Sequence, residues 1–315
     1  MLVIRAPNHL GDLIMALPAL YQAQPDAVVA PKGLCSIISM AGFRAIAFDG
    51  HLKTAATLRQ HRFERGILLT PSFSTALLLL LGGVKQRRGT ATDNRGMLLT
   101  QKVDAGLLAH THRASVYWLL ATGELPDTRP VPSLPVTAEA KREFLKLLRD
   151  ERHQRRIGIF PGSNAPARRW PLERFAALAQ RLNEDAQVIV FGGPDERALT
   201  GQVAGDVAID LGGHTTLPVL AAGLACCDLV ISNDSGPLHL AAAVGTPTIS
   251  LWGAGDPART GPPQGHTVLR DRRLPCLECV KNQCPRSGRG YILPEAYMEC
   301  MQLISIDDVL TSVKV

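Results

Sequence analysis

The segment 229–253 combines residue types that could bind an anion. Its sequence, LVISNDSGPLHLAAAVGTPTISLWG, predicts a buried strand that ends in a polar turn, followed at once by a helix with Pro237 near its first position. The N-terminus of such a helix offers free backbone N–H groups and a partial positive charge. Gly236 would let a phosphate approach the backbone, and the Ser235 hydroxyl could donate a hydrogen bond to it. The same pattern also fits a plain strand, turn and helix with an Asp or Ser N-cap.

A second polar segment, FPGSNAPARRWP at 160–171, also follows a predicted strand and precedes a predicted helix. Ser163 and Asn164 could supply hydrogen bonds. Arg168 and Arg169 supply fixed positive charge, and the forked guanidinium suits phosphate oxygens. The alternative is a surface loop with solvated arginines. Because both segments follow strands of the same half of the chain, we expect them to converge on one diphosphate.

A third segment, RAPNHLGDLIMALP at 5–18, places a carboxylate between the first strand and the first helix. Asp12 could act as general base for a hydroxyl, and His9 is the alternative base. Asp12 could equally be a carboxylate that only complements the helix dipole, and His9 could be a purely structural histidine. In FGGPDE, Gly192 follows another strand and either admits a ligand or merely forms the turn.

These segments lie in a chain that alternates between short β-rich runs and amphipathic helical runs. In the first half, strands are predicted at 2–5, 27–30, 45–48 and 66–70, with helices such as 12–22 and 52–61. The second half has strands at 157–160, 187–191, 229–232 and 248–252 and helices at 172–182, 217–227 and 237–244. Such alternation predicts βαβ units and mostly parallel sheets, whose ligands lie beyond the carboxyl ends of the strands.

A proline-rich stretch separates the two halves. Pro126, Pro130, Pro132 and Pro135 break regular structure and suit a linker, after which Thr137 is the predicted N-cap of a helix over 137–153. The length of 315 residues agrees with two domains at roughly 150 residues each. We therefore expect an α/β fold of two Rossmann-like, doubly wound domains, residues 1–136 and 137–315, facing a central cleft.

Composition excludes several classes of protein. Hydrophobic residues make up 46% and charged residues 20% of the chain, which rules out a mainly disordered protein. The net charge of +6 is modest and aromatic residues are only 5%, which argues against nucleic-acid binding. No GxGxxG follows the first strand of either half and no Walker motif occurs, which argues against a dehydrogenase and an ATPase. No secretory signal is visible, and Pro71 interrupts the apolar run 67–84, so a cytoplasmic protein is expected.

Four of the seven cysteines, Cys276, Cys279, Cys284 and Cys300, form a pattern that could bind a metal. The CxxC spacing is compatible with zinc, whereas the whole pattern is not that of a standard zinc ribbon. In a cytosolic protein of this size we expect reduced thiols and no metal in the site.

In their order along the chain, these motifs resemble those of the family 9 glycosyltransferases, the bacterial ADP-heptose:lipopolysaccharide heptosyltransferases. The resemblance includes the start RxxxxxGD from Arg5 to Asp12, PSFSTA at 71–76 and PGS…RRWP at 161–171. It continues through FGGPDE, NDSGPLHLAAAVGTP and the cysteine stretch, and so covers nearly the whole chain. The NDSGPxH and RWP segments together carry most of its specificity.

The resemblance implies a GT-B architecture and an inverting, metal-independent transfer that uses no cofactor. The first domain would bind a lipid-linked oligosaccharide acceptor and the second an ADP-heptose donor. Asp12 matches the catalytic base of the family, and Arg168 stands where the family usually has a lysine that contacts phosphate and sugar. The implied donor-binding residues are Ser163, Asn164, Arg168, Gly192, Asp234, Ser235, Gly236 and His239. The expected acceptor-binding residues are Asn8, His9 and Ser72.

A lipid-linked acceptor implies at most a transient association with the inner membrane. The basic residues Lys85, Arg87 and Arg88 could meet the acidic inner core of lipopolysaccharide, although a solvated cluster after a helix fits them equally well. Three other functions remain open at this point: a sugar-nucleotide epimerase on the same two-domain plan, a nucleotide-sugar-binding protein without transfer activity, and a zinc-dependent interaction module.

Overall fold

The computed structural model describes residues 1–108, 110–148, 155–263, 266–271, 273–286 and 298–313. The chain divides into two compact units, Met1–Pro135 and Val136–Val315, and the division falls at the end of the proline-rich stretch. No helix in these ranges is long and apolar enough to cross a membrane.

The first unit is a six-stranded parallel sheet with helices between its strands. Its strands are β1 (Leu2–Arg5), β2 (Ala27–Pro31), β3 (Ala45–Phe48), β4 (Arg65–Leu68), β5 (Gln86–Thr90) and β6 (Gln101–Val103). Its helices are α1 (Leu10–Ala23), α2 (Cys35–Met40), α3 (His51–His61), α4 (Phe73–Leu81) and α5 (Arg113–Thr122). The strand order is β3-β2-β1-β4-β5-β6. The apolar run 67–84 forms a strand end, a turn and a helix, as predicted.

The second unit contains another six-stranded parallel sheet. Its strands are β7 (Arg156–Phe160), β8 (Gln187–Gly192), β9 (Ile209–Gly212), β10 (Leu229–Asn233), β11 (Thr248–Leu251) and β12 (Thr267–Leu269). Its helices are α6 (Ala138–Leu145), α7 (Leu172–Leu182), α8 (Arg197–Ala204), α9 (Leu217–Ala225), α10 (Gly236–Ala243), α11 (Pro257–Thr260), α12 (Glu299–Gln302) and α13 (Ile306–Val313).

The two sheets share one topology. The second has the order β12-β11-β10-β7-β8-β9, which repeats the order of the first when each unit's strands are counted from its own start. In both units the strand order reverses between the first and fourth strands, which are β1 and β4 or β7 and β10. Ligands of doubly wound sheets bind at this switch point, beyond the carboxyl ends of the strands. The predicted α/β class with two Rossmann-like units is confirmed.

The sequence pattern missed strands that carry polar residues. Arg87 and Arg88, expected in a solvated cluster or at an acceptor surface, lie in β5, which pairs with β4. The Arg87 guanidinium bonds the carbonyl oxygens of Val84, Lys85 and Leu98, at 2.6, 3.0 and 2.6 Å, so this side chain serves the fold. The strands β6, β9 and β12 lie at sheet edges. A short edge strand is paired on one side only and can form without an apolar run.

The helix after the linker begins as predicted but ends earlier. The Thr137 hydroxyl caps α6 by accepting a hydrogen bond from the Ala140 N–H at 3.2 Å. The helix ends at Leu145, and residues 149–153 of the predicted segment lie outside the described residues. Phe144 is fully buried, and the position of a Cβ on Gly223 of α9 would lie 2.7 Å from its ring, so α6 and α9 pack closely.

Candidate functional site

The two predicted anion-binding loops of the second unit meet because their strands, β7 and β10, are neighbours. Asn233, the last residue of β10, is fully buried and ties the loops together. Its side-chain oxygen accepts a hydrogen bond from the Trp170 N–H at 3.0 Å, and its amide nitrogen donates to the Pro161 carbonyl at 2.7 Å. Sequence reasoning gave Asn233 no role. Its place at the start of the polar turn was the available signal.

Arg168 and Asp234 form an ion pair across the same two loops. Arg168 Nη1 lies 2.9 Å from Asp234 Oδ2, and the two side chains are 27% and 4% exposed. The buried carboxylate therefore neutralises and orients a guanidinium that still reaches solvent. This arrangement suits Asp234 to positioning Arg168 rather than to touching a phosphate, which its negative charge would repel.

Ser163 and Asn164 differ in burial and in hydrogen bonding. The Ser163 hydroxyl is buried, donates to the Asp234 carbonyl at 3.4 Å and accepts from the Ala165 N–H at 3.3 Å. Arg169 Nε donates to the Ser163 carbonyl at 2.8 Å. Asn164 is exposed at the outer side of this loop. The fold thus holds Ser163 in the loop and presents Asn164 to solvent.

Helix α10 begins at the loop that carries Asp234. Ser235 is its N-cap, in an extended conformation, and its side chain makes no capping bond. The Ser235 hydroxyl lies 3.1 Å from the Ser232 hydroxyl, and His239 is buried in the first turn. The first amides of a helix have no intrahelical acceptor, so Ser235 and Gly236 place backbone donors at the switch point.

Gly192, at the end of β8, is required by packing. A Cβ at this position would lie 2.5 Å from Thr200 Cγ2 and 3.3 Å from Glu196 Cβ. The Glu196 carboxylate also accepts a hydrogen bond from the Gly193 N–H at 2.8 Å. The close approach of α8 to β8 therefore explains why this position is a glycine. A ligand could contact only the backbone of Gly192.

In the first unit, Asp12 lies in the first turn of α1 and its side chain is 30% exposed. The Tyr117 hydroxyl donates a hydrogen bond to Asp12 Oδ1 at 2.9 Å, and Arg113 Nε lies 3.9 Å from the same oxygen. Both partners belong to α5 and are separated by one helical turn, so they present side chains on one face. Sequence reasoning missed them, because their distance along the chain gives no signal.

Asn8 and His9 connect β1 to α1. Arg5 is buried at the end of β1, and its Nη2 donates to the Asn8 side-chain oxygen at 2.6 Å. Its guanidinium also bonds the Ala6 carbonyl and lies 5.3 Å from the centre of the Phe48 ring. Burial lowers the pKa of Arg5 to about 10. His9 is the exposed N-cap residue of α1 and its ring makes no capping bond.

Ser72 is the half-buried N-cap residue of α4, beyond the end of β4. A fully buried arginine, Arg95, holds this turn, since its Nη1 donates to the Thr70 and Ser72 carbonyls at 2.5 and 3.3 Å. Burial lowers the pKa of Arg95 to about 10, and the charge of Asp93 opposes that shift. Asp93 in turn accepts from the Phe73 N–H at 2.7 Å. Sequence reasoning gave neither residue a role.

The cysteine stretch packs against the core of the second unit. Cys279, Cys284 and Cys300 contact its apolar cluster, and burial raises the pKa of Cys300 to about 11. Within the ranges that the structure describes, no three His, Cys, Asp or Glu side chains form a group that could hold a metal ion.

Comparison with known proteins gives consistent matches over most of the chain. The profile of the family described as "Glycosyltransferase family 9 (heptosyltransferase)" matches residues 51–288. Lipopolysaccharide heptosyltransferase 2 of Escherichia coli (strain K12) is 27% identical over 299 residues, which cover 84% of this chain and 86% of the relative. Lipooligosaccharide heptosyltransferase 2 of Campylobacter jejuni serotype O:2 is 26% identical over 304 residues, which cover 90% of each protein.

A solved structure agrees with these matches. The structure of E. coli ADP-heptose lipopolysaccharide heptosyltransferase II superimposes with a TM-score of 0.85 at 25% identity. The alignment covers 99% of this chain and 97% of that protein, so both units take part in the similarity.

Proposed function

Because the chain belongs to glycosyltransferase family 9, we propose that it transfers a heptose from ADP-heptose to a hydroxyl of the lipopolysaccharide inner core. The family resemblance expected from the motifs is confirmed, and glycosyltransferase activity follows from it. The observation that carries the placement of the donor's diphosphate is the Arg168–Asp234 pair beside the N-terminus of α10, and the choice of ADP-heptose follows the relatives.

The second unit supplies what a departing diphosphate needs. In the reaction, the bond between the anomeric carbon and the diphosphate oxygen breaks, and negative charge builds on the leaving oxygens. Arg168 and the amides at the start of α10 are donors that the fold has already oriented, so they stabilise this charge without reorganising. Loss of one such donor typically costs roughly 3 kcal/mol of barrier, or about 100-fold in rate. Arg168 acts here as an oriented hydrogen-bond donor, since the Asp234 carboxylate balances its charge.

The first unit supplies the base. Asp12 accepts the proton of the acceptor hydroxyl while the hydroxyl oxygen bonds to the anomeric carbon, and attack opposite the leaving group inverts that carbon. Asn8, His9 and Ser72 are the proposed acceptor contacts. Asn8 and Ser72 lie in turns that the buried Arg5 and Arg95 hold in place, and His9 follows Asn8 at the start of α1.

The relatives that match most of the chain are heptosyltransferases, so neither an epimerase nor a non-catalytic binding protein is favoured. A lipid-linked acceptor would bring the protein transiently to the cytoplasmic face of the inner membrane. The Lys85 side chain, at the start of the β5 segment, is exposed and is available to contact anionic headgroups.

Transfer to a lipid-linked inner-core acceptor tests the proposal directly. Purified protein should convert ADP-heptose and acceptor to product, while UDP- and GDP-sugars should give none. Asp12→Asn should abolish transfer and leave the affinity for ADP nearly unchanged, because ADP binding uses the second unit. Wild-type turnover by Asp12→Asn would remove Asp12 as the base. Equal transfer from UDP- or GDP-sugars would remove the assignment of the donor.

A further inference from the structure

We propose that Tyr117 is a positioning residue for Asp12, fixing one carboxylate oxygen so that the other faces the acceptor hydroxyl. This inference rests on the proposed role of Asp12 as base. The observation behind it is the contact between α1 and α5, where the Tyr117 hydroxyl donates to Asp12 Oδ1 at 2.9 Å.

The two ends of this hydrogen bond differ sharply in their surroundings. Tyr117 is only 3% exposed, whereas the Asp12 side chain reaches solvent. Buried tyrosines usually find a hydrogen-bond partner for their hydroxyl, and here the hydroxyl donates to the Asp12 carboxylate and also interacts with Arg113. The buried Tyr117 side chain therefore holds the partly exposed Asp12 carboxylate in place.

The phenol remains a donor at every pH at which the enzyme would work. Burial raises the pKa of Tyr117 well above its ordinary value, and the negative charge of Asp12 acts in the same direction. Tyr117 thus stays a hydrogen-bond donor to Asp12 and orients its carboxylate.

The two oxygens of Asp12 have separate surroundings. Oδ1 receives the Tyr117 hydrogen bond and lies 3.9 Å from Arg113 Nε, whereas no group in the described part of the chain bonds Oδ2. The charged and titratable groups that face Asp12 are Tyr117 and Arg113 of α5. His9 and Arg5 lie in the segment that leads into α1. The geometry therefore assigns Oδ2 to the proton transfer.

Tyr117→Phe removes the hydrogen bond while it keeps the buried ring, so the fold should persist. Its kcat should fall about tenfold, because the carboxylate loses the hydrogen bond that orients it, and KM for ADP-heptose should not change. Arg113→Ala should lower kcat less, since its pair with Asp12 is partly exposed and screened by salt.

Tyr21→Phe is the matched control. It also removes a tyrosine hydroxyl from the first unit, one that lies toward the other end of α1 from Asp12 and donates to the Ser133 carbonyl at 3.2 Å. The kcat of this variant should equal that of the wild type. A readout that needs no turnover is the ¹³Cγ resonance that Asp12→Asn removes, whose chemical shift at a fixed pH should change in Tyr117→Phe and not in Tyr21→Phe.

Three results would overturn the inference. They are an unchanged kcat in Tyr117→Phe, an equal fall in kcat in Tyr21→Phe, and an Asp12 ¹³Cγ chemical shift in Tyr117→Phe that is the same as in the wild type. The inference would then fail alone if Asp12→Asn is still inactive. Full activity of Asp12→Asn would instead show that the proposed base is wrong, whatever Tyr117 does.

Discussion

At the scale of single residues, the proposed donor site depends on one pair of opposite charges. Leaving a buried carboxylate without a partner costs stability, so Arg168 stabilises the folded protein by pairing with Asp234. The pair explains why an acidic residue stands in a loop that would bind an anion. Asp234 fixes the direction of the guanidinium and leaves its outer edge to the ligand.

Arg168→Ala should therefore affect both stability and catalysis. We expect the free energy of unfolding to fall by about 1–3 kcal/mol, less than for a fully buried pair because Arg168 is 27% exposed. The transfer rate should fall about 100-fold with the loss of a donor to the leaving group. Urea unfolding and the transfer assay measure the two effects. Adding Asp234→Asn should restore part of the stability but none of the rate, and a double variant no more stable than Arg168→Ala would contradict the coupling.

At the scale of elements, close packing between neighbouring elements explains why certain positions require glycine. Gly223 lies within α9, where a glycine normally weakens the helix by up to about 1 kcal/mol relative to alanine. Its hydrogen faces the Phe144 ring of α6, and a Cβ would lie 2.7 Å from that ring. Gly223 thus lowers the helix propensity of α9 but lets α6 pack closely against it.

Gly223→Ala should destabilise the protein by about 1–3 kcal/mol despite the gain in helix propensity, because the ring must move. Urea unfolding measures the change. Gly33→Ala is the control, since a Cβ there meets nothing within 4 Å and the variant should be neutral. Combining Gly223→Ala with Phe144→Leu should recover part of the loss, and stability above wild type in Gly223→Ala would show that the contact is not tight.

The elements also show what sequence alone could predict. Apolar runs placed β1, β7 and β10 within a residue, because buried parallel strands need such runs. The polar strand β5 could not be found in this way. For the site, the motif residues followed from their positions after predicted strands and from the family resemblance, whereas Tyr117, Arg95 and Asn233 act through contacts that only the folded chain creates.

At the scale of the whole molecule, the proposed roles divide between two units with one topology. The residues proposed for the donor follow strands of the second sheet, and those proposed for the acceptor follow β1 and β4 of the first. ADP contains the diphosphate but no acceptor group, so it should engage only the second set.

Hydrogen exchange with and without ADP tests this division. Saturating ADP should slow amide exchange in segments 161–170 and 232–240 and leave segments 8–14 and 70–76 unchanged, because only the first pair contains diphosphate donors. ADP at 100 times its dissociation constant should also add about 2.7 kcal/mol to stability. Protection confined to the first unit would contradict the division of roles.

Each sheet is assembled entirely from its own continuous stretch of chain, with the break at Pro135. Sequence changes in the strands of the stretch proposed to bind the acceptor therefore leave the strand pairing of the other sheet intact, and with it the loops proposed to bind the donor.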